Sequence, residues 1–182
     1  MAERIVFASQ PAMSGRTLTG IAHAFGKVAS VAGQRVAFAR EAFVNALKTS
    51  DVYAFVGHDT SRILGHEKAG TVRLSVEPEG LAYAIDLPDT TDGRDTATLV
   101  ERGDLTSMSF GVQPGAFTAS RMPDGKQLRT YQSVELFDIS PVSLPAFEGT
   151  SIQIHALAND ESLGSQLVMA RQRARTTERI AK

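Results

Sequence analysis

In Val72-Arg73-Leu74-Ser75-Val76-Glu77-Pro78-Glu79-Gly80-Leu81-Ala82-Tyr83-Ala84-Ile85-Asp86-Leu87, large apolar residues occupy alternate positions on either side of Glu77-Pro78-Glu79-Gly80. Alternation of period two is the pattern of an extended chain with one face in a core, and a proline and glycine between two such runs supply a turn. The stretch predicts a β-hairpin with one buried face. Further along, Met122-Pro123-Asp124-Gly125-Lys126 carries proline and an Asp-Gly pair between two extended flanks, which predicts a second hairpin.

Helical signals are fewer. Arg40 to Lys48 sets Phe43 and Leu47 four apart, the spacing of one helix face, and a second helix is expected from about Asp92 to Arg102, stopped by Gly103. The body is therefore expected to be α+β and mostly β, a mixed or antiparallel barrel-like sheet with a few helices. From Leu157 onward five Lys or Arg stand against three acids, a net +2 in a chain of net −1, so residues 1–156 carry −3. That change of sign, with the change to good helix formers and closely spaced arginines, divides the chain into a domain over 1–157 and a basic tail over 158–182. The tail is expected to be a linker plus a helical or disordered segment.

Bulk properties narrow the chemistry. At 182 residues the chain can bury one ordinary core without covalent staples. It has no cysteine, which removes disulfides, a cysteine nucleophile and thiolate metal sites. No metal or cofactor is expected. With a near-neutral charge and no long apolar run, neither nucleic acid nor a membrane is expected as partner, and a soluble, cytoplasmic protein is anticipated.

Serine, histidine and the acids remain. Val52-Tyr53-Ala54-Phe55-Val56-Gly57-His58-Asp59 reads as a buried strand that ends on an imidazole, a way of holding the ring at a cleft; a histidine simply satisfied at a strand end is the plainer alternative. In Ser107-Met108-Ser109-Phe110-Gly111-Val112 the two-residue period puts Met108, Phe110 and Val112 on one face and Ser107, Ser109 and Gly111 on the other. The second face would let a substrate backbone approach a hydroxyl, although serines on a solvent face are commonplace. The Gly-x-Ser-x-Gly elbow of the α/β hydrolases is absent. Within Ser133-Val134-Glu135-Leu136-Phe137-Asp138-Ile139-Ser140-Pro141-Val142, Glu135 and Asp138 are three apart and should face opposite ways. At least one acid embedded among apolar residues needs a partner, an arginine such as Arg129 being one choice. A serine needs a base to take its proton, and the base needs a group to orient it. Ser109, His58 and one of the two acids would supply those roles.

The order Val-Gly-His-Asp, then Arg-Gly-Asp-Leu before Met-Ser-Phe-Gly-Val, then Glu-Leu-Phe-Asp-Ile-Ser-Pro-Val-Ser-Leu-Pro-Ala-Phe closely resembles the prohead proteases of tailed bacteriophages. The resemblance runs from about Leu18 to about Ile154 and includes Glu41-Ala42-Phe43 with Leu47 and Leu87-Pro88-Asp89-Thr90. It implies a fold like that of the herpesvirus assembly proteases. It also implies a serine endopeptidase, with Ser109 as nucleophile and His58 as base, that cleaves scaffold and major coat protein, and itself, inside the procapsid in the host cytoplasm. Self-association is compatible with it. In that family a glutamate usually stands directly before a β-branched residue and a serine. Here the place holds Asp138, with Glu135 as the alternative orienting acid. A non-catalytic assembly module of the same fold, binding coat or scaffold subunits, is the rival reading.

Overall fold

The computed structural model describes residues 16–31, 33–144, 147 and 153–156. Along this chain run β1 (Arg16–Ala24), β2 (Ala29–Val31), β3 (Gln34–Phe38), α1 (Arg40–Thr49), β4 (Tyr53–Val56), β5 (Asp59–His66), β6 (Val72–Val76) and β7 (Gly80–Leu87). Then come α2 (Thr91–Arg102), β8 (Ser107–Pro114), β9 (Phe117–Arg121), β10 (Gln127–Tyr131), β11 (Val134–Val142) and β12 (Gln153–Ala156). The mostly β expectation holds. The basic tail over 158–182 lies outside the described residues.

Both hairpins form where the turn chemistry requires them. β6 and β7 pair antiparallel with Val76 opposite Leu81, and the Glu77 amide donates to the Gly80 carbonyl at 2.9 Å. β9 and β10 pair with Arg121 opposite Gln127, and Gly125 takes a φ of 80°, which a residue without a Cβ adopts freely. The single buried face expected for the first hairpin is corrected in β7, where Ala82 and Ala84 are buried as well as Leu81, Tyr83 and Ile85. β7 is an interior strand between β1 and β6, and small alanines on its second face let neighbouring elements approach closely.

α2 begins at Thr90, whose side chain accepts from the Gly93 amide, and ends at Gly103 in the left-handed conformation, φ 79°. The expected stop at Gly103 is the observed one. α1 buries Ala42, Phe43 and Ala46, the last two within the main core.

A barrel-like sheet is not what the strands build. They form three four-stranded sheets, in the orders β12-β1-β7-β6, β2-β3-β10-β9 and β5-β4-β11-β8. Closure requires the first and last strands of one sheet to pair, and no such pair exists among the described residues. Alternation reveals which side chains of a strand face a core but not which edges meet, so closure was outside its reach. The three sheets share one core in which Leu18, Phe43, Leu64, Tyr83, Ile85, Met108, Leu136 and Ile139 are fully or almost fully buried.

The third sheet gathers the residues that could carry chemistry. Its inner strands β4 and β11 run parallel, with Asp138 opposite Tyr53, while β8 lies antiparallel on the far side of β11 with Ser140 opposite Ser109. Three stretches that are remote in sequence become adjacent strands.

Candidate active site

β8 presents the two faces expected of it. Met108 is completely buried, and Phe110 and Val112 pack on the core, whereas Ser107, Ser109 and Gly111 are partly exposed on the opposite side. The predicted polar face therefore exists.

β11 departs from simple alternation. Leu136 pairs with Val112 and Asp138 with Gly111, so Phe137 is an extra residue, a bulge that leaves its side chain exposed. Without the bulge Asp138 would fall opposite Phe110, on the core side. With it, Asp138 joins Gly111, Ser109 and Ser140 on the polar side. The expectation that Glu135 and Asp138 face opposite ways is thereby corrected: they pair with Gln113 and Gly111, two apart on one strand. A bulge adds one residue to the count, and a spacing of three then behaves as a spacing of two. Glu135 is nevertheless exposed and has no hydrogen bond to His58, whereas Asp138 is 8 % exposed. Arg129 serves neither acid, because its guanidinium lies over the Phe117 ring, 4.9 Å from the centroid.

His58 is reached through the β4–β5 connection. Val56 pairs with Asp59, leaving a two-residue loop of Gly57, φ 60°, and His58, φ 65°. Two consecutive left-handed residues are the signature of a tight hairpin turn that matches strand twist. Gly57 adopts that backbone without strain; His58 is the one described non-glycine residue with positive φ. A strand ending on an imidazole was expected, and the ring instead stands at the apex of a turn. The Gly57 amide donates to the Pro141 carbonyl at 3.2 Å, tying that turn to β11.

From there His58 Nδ1 lies 2.7 Å from Asp138 Oδ2. An ionised carboxylate can only accept, so Nδ1 is the donor, and in the neutral ring that tautomer leaves Nε2 with its lone pair. The same Oδ2 accepts a second hydrogen bond, 2.7 Å long, from the hydroxyl of the fully buried Ser140. Sequence reasoning did not single out Ser140, although its place two residues after Asp138 on a strand was a usable signal. Ser109 stands directly across from Ser140 on β8. It makes no hydrogen bond to His58 among the described residues, and catalytic contacts commonly tighten only around substrate.

Beside the Gly57–His58 turn a cavity of about 400 Å³ is walled by Val56, Leu99, Leu105, Pro141, Val142 and Leu144. Arg62, also in its wall, is paired with Asp92 at 2.7 Å. Asp95, Thr96 and Ser143 complete a lining that is part apolar and part polar, and the cavity adjoins both the histidine turn and the end of β11. Among the described residues no group of acidic and histidine side chains could hold a metal ion, and no helix is long and apolar enough to cross a membrane.

Comparison with known proteins adds one finding. The sequence model of the caudovirus prohead serine protease family matches residues 5–163, most of the chain and all twelve of its described strands. No curated protein matches it.

Proposed function

The chain belongs to the caudovirus prohead serine protease family, and from that premise we propose that it hydrolyses peptide bonds with Ser109 as nucleophile, His58 as general base and Asp138 as the orienting acid. The observation that carries this reading is the hydrogen bond from His58 Nδ1 to Asp138 Oδ2, made where three adjacent strands also bring Ser109 to the same side of the sheet.

The chemistry follows from the proton positions. As Ser109 Oγ attacks the scissile carbonyl carbon, its proton passes to His58 Nε2, while Nδ1–H stays on Asp138, whose charge offsets that of the imidazolium. Collapse of the tetrahedral intermediate breaks the C–N bond, and the same proton leaves with the amine. Water then enters, gives a proton to Nε2 and attacks the acyl carbon; the ester C–O bond breaks as Nε2 passes that proton to Ser109 Oγ, releasing the new C-terminal carboxyl and restoring the serine hydroxyl. The apolar wall of the cavity beside the turn, formed by Val56, Leu99, Leu105 and Pro141, suits an aliphatic or aromatic side chain next to the scissile bond.

Membership in the family supports a protease role in phage capsid maturation. Within that role we assign scaffold and major coat protein as substrates, self-cleavage as a further event, and the procapsid in the host cytoplasm as the place. Likeness in fold to the herpesvirus assembly proteases belongs to the same proposal. So does the division at 157/158: loss of residues 159–182 should leave peptide cleavage near normal and impair packaging, and a large fall in melting temperature would refute it.

A fluorophosphonate probe tests the central assignment. Wild-type protein should be labelled on Ser109, Ser109→Ala should lose both labelling and cleavage, and Ser107→Ala should keep both. No labelling of folded wild-type protein would favour a non-catalytic assembly module. Loss with Ser107→Ala alone would move the nucleophile two residues along the same face.

A further inference from the structure

We propose that Ser140 is a positioning residue that aims the Asp138 carboxylate at His58, an assignment that rests on the protease reading. Ser140 has no solvent exposure, and its hydroxyl donates to Oδ2, the oxygen that also accepts from His58. With its proton committed and its oxygen sealed from solvent, Ser140 is not itself a nucleophile, although it pairs with Ser109 across the strands.

The other side of the carboxylate is fixed by shape. A Cβ added at Gly111 would overlap Asp138 Oδ1, so glycine there is what admits the carboxylate against β8. Asp138 is shorter by one methylene than a glutamate and has less freedom to seek the ring. Its aim therefore depends on its neighbours: Gly111 allows the approach, and Ser140 sets the rotation of the carboxylate about its own axis. A buried carboxylate that loses a donor must recover hydrogen bonding elsewhere, and rotation away from Nδ1 is the available route.

The test compares Ser140→Ala, Ser140→Cys and Ser140→Thr in the full chain, each checked for folding by its denaturation midpoint. Turnover and fluorophosphonate labelling should fall about tenfold to hundredfold in Ser140→Ala, the scale of a hydrogen bond to a charged group. KM should be unchanged, since Ser140 is shut off from substrate. Ser140→Cys, nearly isosteric with a weak donor, should fall between, and Ser140→Thr should recover most of the rate. A packing role would reverse that order, because the added methyl of Ser140→Thr crowds a sealed site whereas alanine is close to serine in volume. The His58 Nδ1 proton resonance gives a readout independent of activity: it should move in Ser140→Ala and return toward its original position in Ser140→Thr. Wild-type labelling rates together with an unmoved resonance in Ser140→Ala would overturn the proposal. If wild-type protein itself is never labelled, the protease reading fails, while the resonance still decides whether Ser140 holds Asp138. Should Ser140→Ala fail to fold, the Cys and Thr variants decide by the same ranking and the same resonance.

Discussion

Two histidine–aspartate pairs lie on one sheet, and at the level of distance they are indistinguishable. His58 Nδ1 is 2.7 Å from Asp138, and His66 Nε2 is 2.7 Å from Asp51. Their surroundings differ in every respect that bears on chemistry. Asp51 shares its charge with Lys68, whose hydrogen bond is the main reason its carboxyl titrates below the ordinary range, with lesser help from His66 and against an opposing effect of desolvation. The His66 ring is stacked on Tyr53, 3.9 Å between centroids, which covers one of its faces. Among the described residues no lysine or arginine pairs with Asp138, which is instead held by the Ser140 hydroxyl. His58 is exposed and has Ser109 on the same side of the sheet. A carboxylate–imidazole contact recurs on this sheet, and what would equip the His58 pair for the proposed catalysis is an acid without a lysine partner, an exposed ring and a serine on the same side of the sheet.

The strongest way to break the comparison is to remove each acid's charge. Asp138→Asn should lower turnover by at least two orders of magnitude with little loss of fold, because the amide cannot stabilise the imidazolium and can impose the wrong tautomer. Asp51→Asn should change turnover by less than about threefold, since only a surface pair is weakened. Glu135→Gln, on an exposed side chain, should behave like Asp51→Asn. Peptide-cleavage rates for the three variants provide the check. Equal losses at Asp138 and Asp51, or a reversed ranking of Asp138 and Glu135, would refute the assignment.

How much of this was legible beforehand depended on how local the cause was. The hairpin turns at Glu77–Gly80 and Met122–Lys126, the Gly103 helix stop and the two faces of β8 are fixed by neighbouring residues, and all were readable. The phase of β11 was not, because the bulge at Phe137 is set by pairing with β8 and leaves no mark in the composition. The turn at Gly57–His58 was missed for a related reason: glycine in front of histidine is a weak turn signal, and the apolar run before it pointed to a strand that simply ends. Three open sheets in place of a barrel-like sheet reflect edge pairing, which alternation does not encode.

His23 sharpens the comparison from another side, as a fully buried histidine with no hydrogen-bond partner at either ring nitrogen among the described residues. Five phenylalanine rings surround it, those of Phe147 and Phe110 nearest at 4.9 and 5.1 Å between centroids. Burial among apolar rings penalises the charged form and lowers its pKa from 6.5 to about 4. The folded protein therefore keeps this ring neutral where the unfolded chain protonates it. Its contribution to stability is intact above about pH 6.5 and is lost progressively as pH falls toward 4. Between pH 7 and 4.5 the loss is roughly 2–3 kcal/mol. Denaturant midpoints for wild type and His23→Leu at both pH values isolate this from the acids, whose effects are common to both proteins. Equal acid sensitivity would show that His23 is not responsible.

The smallest effect separates the backbones of the paired histidines. His58 holds a φ of 65°, where a Cβ crowds the following carbonyl, whereas His66 closes β5 with no such conformation. Comparing each histidine with alanine would confuse this strain with the loss of its ring and its hydrogen bond. Comparing glycine with alanine at one position cancels that loss, because both lack the ring. At position 58, His58→Gly should be more stable than His58→Ala by about 1 kcal/mol, since glycine adopts the left-handed region freely. At position 66 the order should reverse, His66→Ala being more stable than His66→Gly by roughly 0.5–1 kcal/mol, because extended backbone suits alanine and glycine has more freedom to lose. Denaturation midpoints of the four variants provide the measurement. Opposite signs at the two positions would mean that the fold holds the ring of the proposed general base on a backbone that stability alone would give to glycine, while its twin sits on an unstrained strand. The same sign at both would remove that distinction and leave the surroundings of the carboxylates as the whole difference between the pairs.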